Sequence, residues 1–173
     1  KSAGAKIKWK GKRTVQIEGV KSLNNTKYSI MGDRIEAGTF CVAASLTAGD
    51  LLIKNFDSNL IQTELNLLKK IGSKIKTFNK EIYIKGPNKI KSINNIVTKV
   101  YPNFPTDLQA QFMVLLCKAN GRSVIVENIF GEQRFNHIGE LRRLGAKIAT
   151  KKNKAIIEGN AKFEGAELMS SDL

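Results

Sequence analysis

Only two cysteines, three prolines, one histidine and one tryptophan occur in 173 residues. Cys41 and Cys117 build neither a disulfide framework nor a zinc site unaided, and His137 has no second metal-type ligand beside it at a familiar spacing. Both cysteines fall in apolar helical runs, Phe40-Cys41-Val42-Ala43-Ala44 and Val114-Leu115-Leu116-Cys117, where a buried reduced thiol is the default and a reactive one the alternative. No window approaches 18 consecutive apolar residues, and Lys1-Ser2-Ala3-Gly4 lacks the layout of a signal peptide, so neither a membrane span nor secretion is supported. Gly11, Gly19 and Gly121 stand singly, so no phosphate-cradling loop is formed. The expectations are no metal, no cofactor and a cytoplasmic location.

Acids are also scarce: 15 against 29 lysines and arginines give a formal charge of +14 and a pI near 9.9. Such a balance invites a nucleic-acid reading, because clustered cations release counterions on binding phosphate. Most of these cations, however, are lysines spread among isoleucines and asparagines, as in Lys74-Ile75-Lys76 and Lys89-Ile90-Lys91, a pattern of solvated strand faces. No zinc finger, aromatic-studded sheet motif or basic zipper is present, and no nucleic-acid partner is expected. A non-catalytic lysine-rich module that binds an anionic polymer is the alternative class. The 42% hydrophobic content is ordinary for a globular chain, enough for one sizeable domain or two small ones.

What is abundant is self-similarity, with a period near 70 residues. Leu68-Lys69-Lys70-Ile71-Gly72-Ser73-Lys74-Ile75 leads to Ile82-Tyr83-Ile84-Lys85-Gly86, and Leu141-Arg142-Arg143-Leu144-Gly145-Ala146-Lys147-Ile148 leads to Ala155-Ile156-Ile157-Glu158-Gly159. Lys1 to Ile7, leading to Val15-Gln16-Ile17-Glu18-Gly19, is a further copy. Each reads as a helix stopped by glycine, a strand, a polar turn and a strand ending in glycine. Between them Ala37-Gly38-Thr39-Phe40 through Ile53 matches Gln109-Ala110-Gln111-Phe112 through Ile125: an apolar helix, a glycine stop and a strand. Helices over 59–71 and 135–144 follow from Leu60, Ile61, Leu65 and Leu68, and from Ile138, Leu141 and Leu144. The unit is therefore β-α-β-α-β-β, in an α/β fold. Tyr28 to Asp33 reads as its opening strand and helix-opening acid, and Leu168 to Asp172 as the same feature again, so the chain is expected to be an internal fragment of a longer protein.

The stretch Pro102-Asn103-Phe104-Pro105-Thr106-Asp107-Leu108-Gln109-Ala110-Gln111 carries the most chemistry. Two prolines hold an extended approach, and Thr106 to Gln109 has capping-box spacing, with Thr106 as N-cap and Gln109 reaching back. Asp107 then occupies the first helical position, either as a surface acid that complements the helix dipole or as a carboxylate free for other work. Asp33-Arg34-Ile35-Glu36 has capping-box spacing too, and a structural role is simplest for Asp33 and Asp172. Ile129-Phe130-Gly131 ends a strand, where apolar residues either stack on a ligand or pack in the core.

Asp33 to Phe40, Phe104 to Gln111, Ile129-Phe130 with Arg134-Phe135-Asn136-His137, Glu140-Leu141 with Leu144-Gly145-Ala146, and Ser171-Asp172-Leu173 together resemble the enolpyruvyl transferases, in the branch that acts on UDP-N-acetylglucosamine. The resemblance runs through essentially the whole chain, and the Phe-Pro-Thr-Asp-x-Gln-Ala-Gln stretch sets that branch apart from the shikimate one. It implies truncated repeats of the inverted α/β barrel, with residues 1–20 finishing the last unit of a first domain and 21–173 making most of a second. It also implies transfer of enolpyruvyl from phosphoenolpyruvate to the sugar 3-hydroxyl with phosphate release, and an alternative acceptor within the same fold remains open. Asp107 is implied as general base and substrate contact, with Ile129, Phe130, Arg134 and Asp172 as further substrate contacts. The cationic residues for phosphoenolpyruvate and the mobile loop fall outside this chain in the resemblance, so the isolated piece is expected to be inactive. Two departures stand out: Gly32 replaces the usual proline before Asp33, and the segment from Phe130 to Phe135 is one residue longer than the family's.

Overall fold

Short runs of β-branched residues separated by polar turns form a hairpin in each copy of the repeat. The computed structural model describes residues 1–169, in two units: Lys1–Met31 and a second that begins at Gly32. In the first unit β1 (Lys6–Trp9) pairs antiparallel with β2 (Val15–Glu18), Ile7 opposite Ile17, and Lys6 meets Glu18 at 2.7 Å.

The second unit runs α1 (Arg34–Leu46), β3 (Asp50–Lys54), α2 (Gln62–Lys70), β4 (Lys74–Phe78), β5 (Glu81–Lys85), β6 (Ile96–Val97), α3 (Gln109–Cys117), β7 (Arg122–Val126), α4 (Ile138–Arg143), β8 (Lys147–Lys151) and β9 (Lys154–Glu158). Tight 3-10 turns over Ser58–Ile61, Thr106–Leu108 and Gly131–Phe135 precede α2, α3 and α4. One sheet has the order β3-β5-β4, all antiparallel. The other has the order β6-β7-β9-β8, with β6 and β7 parallel. The α/β unit is thus complete as β6-α3-β7-α4-β8-β9.

Its first copy departs from the sequence expectation, since Tyr28–Met31 makes no ladder among the described residues. Ile30 and Met31 are exposed there, so neither burial nor pairing offsets the entropy of ordering a strand. Lys89–Lys91 likewise is not a strand: Ile90 is buried and Lys91 makes one isolated bridge to Asn120. In β4 and β8, by contrast, the lysines stand on the solvated face as the alternation requires.

Glycine stops α2 and α4 by the same bonds. Ser73 N–H donates to Leu68 C=O and Gly72 N–H to Lys69 C=O, both at 3.0 Å, with Gly72 at φ +113. Ala146 and Gly145 repeat this on Leu141 and Arg142, closing a Schellman motif in each copy. At the end of α1 the left-handed residue is Ala48, one position before the expected Gly49.

The helices α1 and α3 pack on each other and on the inner sheet faces. Gly38 lets α1 approach the turn ahead of α3 closely, because a Cβ there would stand 2.5 Å from the Leu108 side chain. Ile82 and Ile84 of β5 and Ala155 and Ile157 of β9 are fully buried against these helices, each isoleucine contributing about 1.5–3 kcal/mol of apolar burial.

The repeated strand-end glycines have a common cause. A Cβ on Gly86 would lie 2.2 Å from the Ala44 carbonyl oxygen, and one on Gly159 would lie 1.8 Å from that of Ala119. Gly86→Ala and Gly159→Ala are each expected to destabilise by about 2–4 kcal/mol in denaturant melts. Gly139→Ala, with open space around it inside α4, is expected to stabilise by about 0.5–1 kcal/mol.

Candidate active site

Because β6 and β7 are parallel, their carboxyl ends lie side by side, and the next residues are Thr98 and Glu127. Ligand sites of α/β sheets gather at such ends. Thr98 N–H donates to Val126 C=O at 3.0 Å, and Glu127 N–H to Asn153 C=O at 2.8 Å, which fixes both residues to the sheet.

The Glu127 side chain is fully buried, a position that an ionised carboxylate holds only when donors surround it. Four do so. Oε1 accepts from Thr98 Oγ1 (2.8 Å), Ile129 N–H (2.9 Å) and Phe130 N–H (3.2 Å), while Oε2 accepts from Thr106 Oγ1 (2.8 Å). A carboxylate only accepts, so the single Thr106 proton goes to Glu127 and a lone pair is left for Arg134 Nε, 3.3 Å away. Arg134 in turn donates through Nη2 to Asp107 Oδ1. Its guanidinium lies 5.2 Å from the centre of the Phe130 ring.

The structure therefore brings Asp107, Phe130 and Arg134 together, with Ile129 beside them. Arg134 is largely covered, with 15% of its side chain exposed, whereas Asp107 is 53% exposed and, among the described residues, its side chain is hydrogen-bonded through Oδ1 to Arg134. Phe130 and Ile129 are exposed apolar residues at a strand end, an arrangement open to a ligand. Gly131, at φ +68, turns the chain sharply after Phe130 and opens the 3-10 turn that carries Arg134.

The expected capping box does not form. Thr106 spends its proton on Glu127, and the buried Gln109 leaves its Nε2 without a partner rather than reaching back. Asp107 accordingly sits inside a 3-10 turn ahead of α3. Of the two prolines only Pro105 is extended, at ψ 148, and Pro102 lies at a cis bond in a turn closed by Asn103 N–H to Val100 C=O. Phe104, edge-on to Phe112 at 4.9 Å, anchors this loop to α3.

Asp33 caps α1, accepting from Ile35 N–H at 2.7 Å. Cys41 and Cys117 are buried, and burial pushes their thiols up to about 12 and about 11, far from a reactive thiolate. Among the described residues no cluster of histidine, cysteine or acid is arranged to hold a metal ion. Asp172 lies outside the described residues. Sequence reasoning missed Glu127, Thr98 and the hydroxyl role of Thr106. The available signal was an acid directly after Val124-Ile125-Val126, where the strand alternation stops.

The EPSP synthase model, EPSP synthase (3-phosphoshikimate 1-carboxyvinyltransferase), matches residues 1–173. The chain belongs to the EPSP synthase family. A UDP-N-acetylglucosamine 1-carboxyvinyltransferase from Pelagibacter ubique (strain HTCC1062) is 61% identical over 170 residues, which is 98% of this chain and 40% of that protein. One from Geotalea daltonii is 46% identical over the same share of each. The chain thus spans about 40% of the length of these curated relatives. Among solved structures, the enolpyruvyl transferase NikO from Streptomyces tendae shares the fold at a TM-score of 0.80 and 22% identity, over 95% of this chain and 39% of that one. EPSP synthase from Acinetobacter baumannii does so at a TM-score of 0.68 and 21% identity, over 93% and 39%.

One further residue, close in sequence to Arg134, is titratable. Among the described residues both ring nitrogens of His137 are buried without hydrogen-bond partners, and burial, with Arg134 nearby, lowers its pKa. In the unfolded chain it takes up a proton below about pH 6.5 while the folded protein resists doing so. Stability is therefore expected to fall as pH drops from about 6.5 toward 5, by at most about 1.4 kcal/mol per pH unit from this residue. Denaturant melts of wild type minus His137→Gln across that window isolate the effect, and parallel curves would exclude it.

Proposed function

We propose that the protein to which this chain belongs transfers enolpyruvyl from phosphoenolpyruvate to the 3-hydroxyl of UDP-N-acetylglucosamine, releasing phosphate. The observation that carries this reading is the 61% identity, over 98% of the chain, to a protein named for that reaction. The exposed carboxylate of Asp107, held by Arg134 beside Phe130 and Ile129, is compatible with it.

A sugar alcohol is a poor nucleophile until a positioned acceptor takes its proton during attack. In this reading Asp107 is that acceptor. The sugar oxygen bonds to C2 of phosphoenolpyruvate while C3 gains a proton. The adduct then loses a C3 proton and the C2–O bond to phosphate, which leaves the enolpyruvyl ether. Arg134 holds Oδ1, so Oδ2 is the oxygen for the proton, and Ile129, Phe130 and Arg134 line the sugar side. Asp172 is a further proposed contact. The reaction would be the first committed step of peptidoglycan synthesis, in the cytoplasm, and it requires no cofactor. Among the described residues no helix is long and apolar enough to cross a membrane.

Asp107→Asn in the full-length enzyme removes the proton acceptor but keeps the shape. It is expected to lower kcat about 10²–10⁴-fold in a phosphate-release assay. Full activity in that variant, or turnover with shikimate 3-phosphate in place of UDP-N-acetylglucosamine, would sink the assignment.

A further inference from the structure

We infer that Glu127 is the positioning residue of this site, one oxygen of its carboxylate serving substrate binding and the other serving proton transfer. This rests on the transferase reading and deepens it. The two oxygens have separate clients. Oε1 gathers the Thr98 hydroxyl and the Ile129 and Phe130 amides, so it fixes the backbone of the loop that presents the apolar contacts. Oε2 takes the Thr106 proton and thereby turns a hydroxyl lone pair toward Arg134 Nε, whose other end holds Asp107.

The fold itself does not need an acid here. In the first copy of the repeat, Phe56 N–H donates at 3.0 Å to Lys80 C=O, the residue before β5. Glu127 N–H donates at 2.8 Å to Asn153 C=O, the residue before β9, so the two amides make the same bond, with Asn55 as one additional residue between β3 and Phe56. Phe56 is buried and packs on Gly32, where a Cβ would stand 2.6 Å from its ring. This also accounts for glycine at 32. An apolar plug closes one copy, and a buried carboxylate with four donors closes the other. A group that costs several kcal/mol to desolvate, where an apolar one suffices, is retained for what it orients.

The direction of one hydroxyl proton is the testable content. In the full-length enzyme, Thr106→Val removes the link to Arg134 and leaves Oε1 and its loop intact. It is expected to lower kcat about 10²-fold through misplacement of Asp107, with KM for UDP-N-acetylglucosamine within about threefold of wild type. Thr106→Ser, which keeps the hydroxyl, should restore kcat to within about threefold of wild type. In Glu127→Gln the amide oxygen stays with its three donors and the NH2 faces Thr106, forcing the hydroxyl proton toward the Arg134 N–H. That variant should lose kcat as Thr106→Val does, and the double variant should lose no more than either alone. Unchanged kcat in Thr106→Val, failure of serine to rescue, or losses that multiply in the double variant would overturn the inference. Should Glu127→Gln not fold, the valine and serine pair decides alone. A wild-type enzyme that releases no phosphate with UDP-N-acetylglucosamine overturns the transferase reading as well, whereas an active wild type with an unaffected valine variant overturns only the role of Glu127.

Discussion

Backbone meets backbone at the strand-end glycines, and the rest of the second unit is arranged around that contact. Gly86 and Gly159 each press against a carbonyl at the carboxyl end of the unit's first helix, while their own N–H groups bond to Gly49 and Gly121. An inner strand of each sheet, β5 in one and β9 in the other, is thereby clamped to the end of a helix with no side chain between them. With that end fixed, the isoleucines of β5 and the Ala155 and Ile157 pair of β9 must face the helices, and the lysines must face water. The opposite ends of the strands are left to diverge, because no equivalent clamp constrains them.

That divergence is where the two copies cease to be copies. Phe56 makes its end of the first sheet part of the core. Glu127 makes the matching place in the second sheet a polar junction, on which two hydroxyls and two amides converge. Burial makes this junction rigid: every donor that let go would leave a desolvated charge short of a partner, at a cost of about 1–3 kcal/mol or more. By contrast the Asp107–Arg134 pair, half open to solvent, adds little to stability. Its geometry is set from beneath, by Thr106 and by the Phe130 ring.

The fold was legible in the sequence because it rests on period and glycine. The apolar runs of α1 and α3, the Schellman glycines 72 and 145 and the strand-end glycines 86 and 159 each have a local signature. That 28–31 makes no strand was not legible, because strand formation is a matter of partners and not of the segment alone. Asp107 was visible as an acid in a helix-opening motif, and yet its neighbours told the wrong story. Capping-box spacing is a local rule, and the Thr106 hydroxyl found a stronger acceptor 21 residues away in the chain. Glu127 carries no motif at all. An acid after an apolar strand reads as the start of a solvated loop, and only the parallel pairing of β6 beside β7 places Thr98 over it.

The same geometry separates the net charge of +14 from the chemistry. Lysines 74, 76, 147, 151 and 154 stand exposed on strands, on faces turned away from the helices. At the junction of Glu127 and Asp107 the cation in contact is Arg134, and it is already paired. A surface of unpaired ammonium groups raises the local concentration of anions over distances of about a Debye length, roughly 10 Å, without discriminating among them. Discrimination requires groups whose direction is fixed. In this chain those groups are a planar guanidinium stacked on one ring, a carboxylate held by one oxygen, and two amides locked to a buried acid. Charge can therefore attract anions without direction, whereas the few groups that Glu127 orders are held in fixed directions.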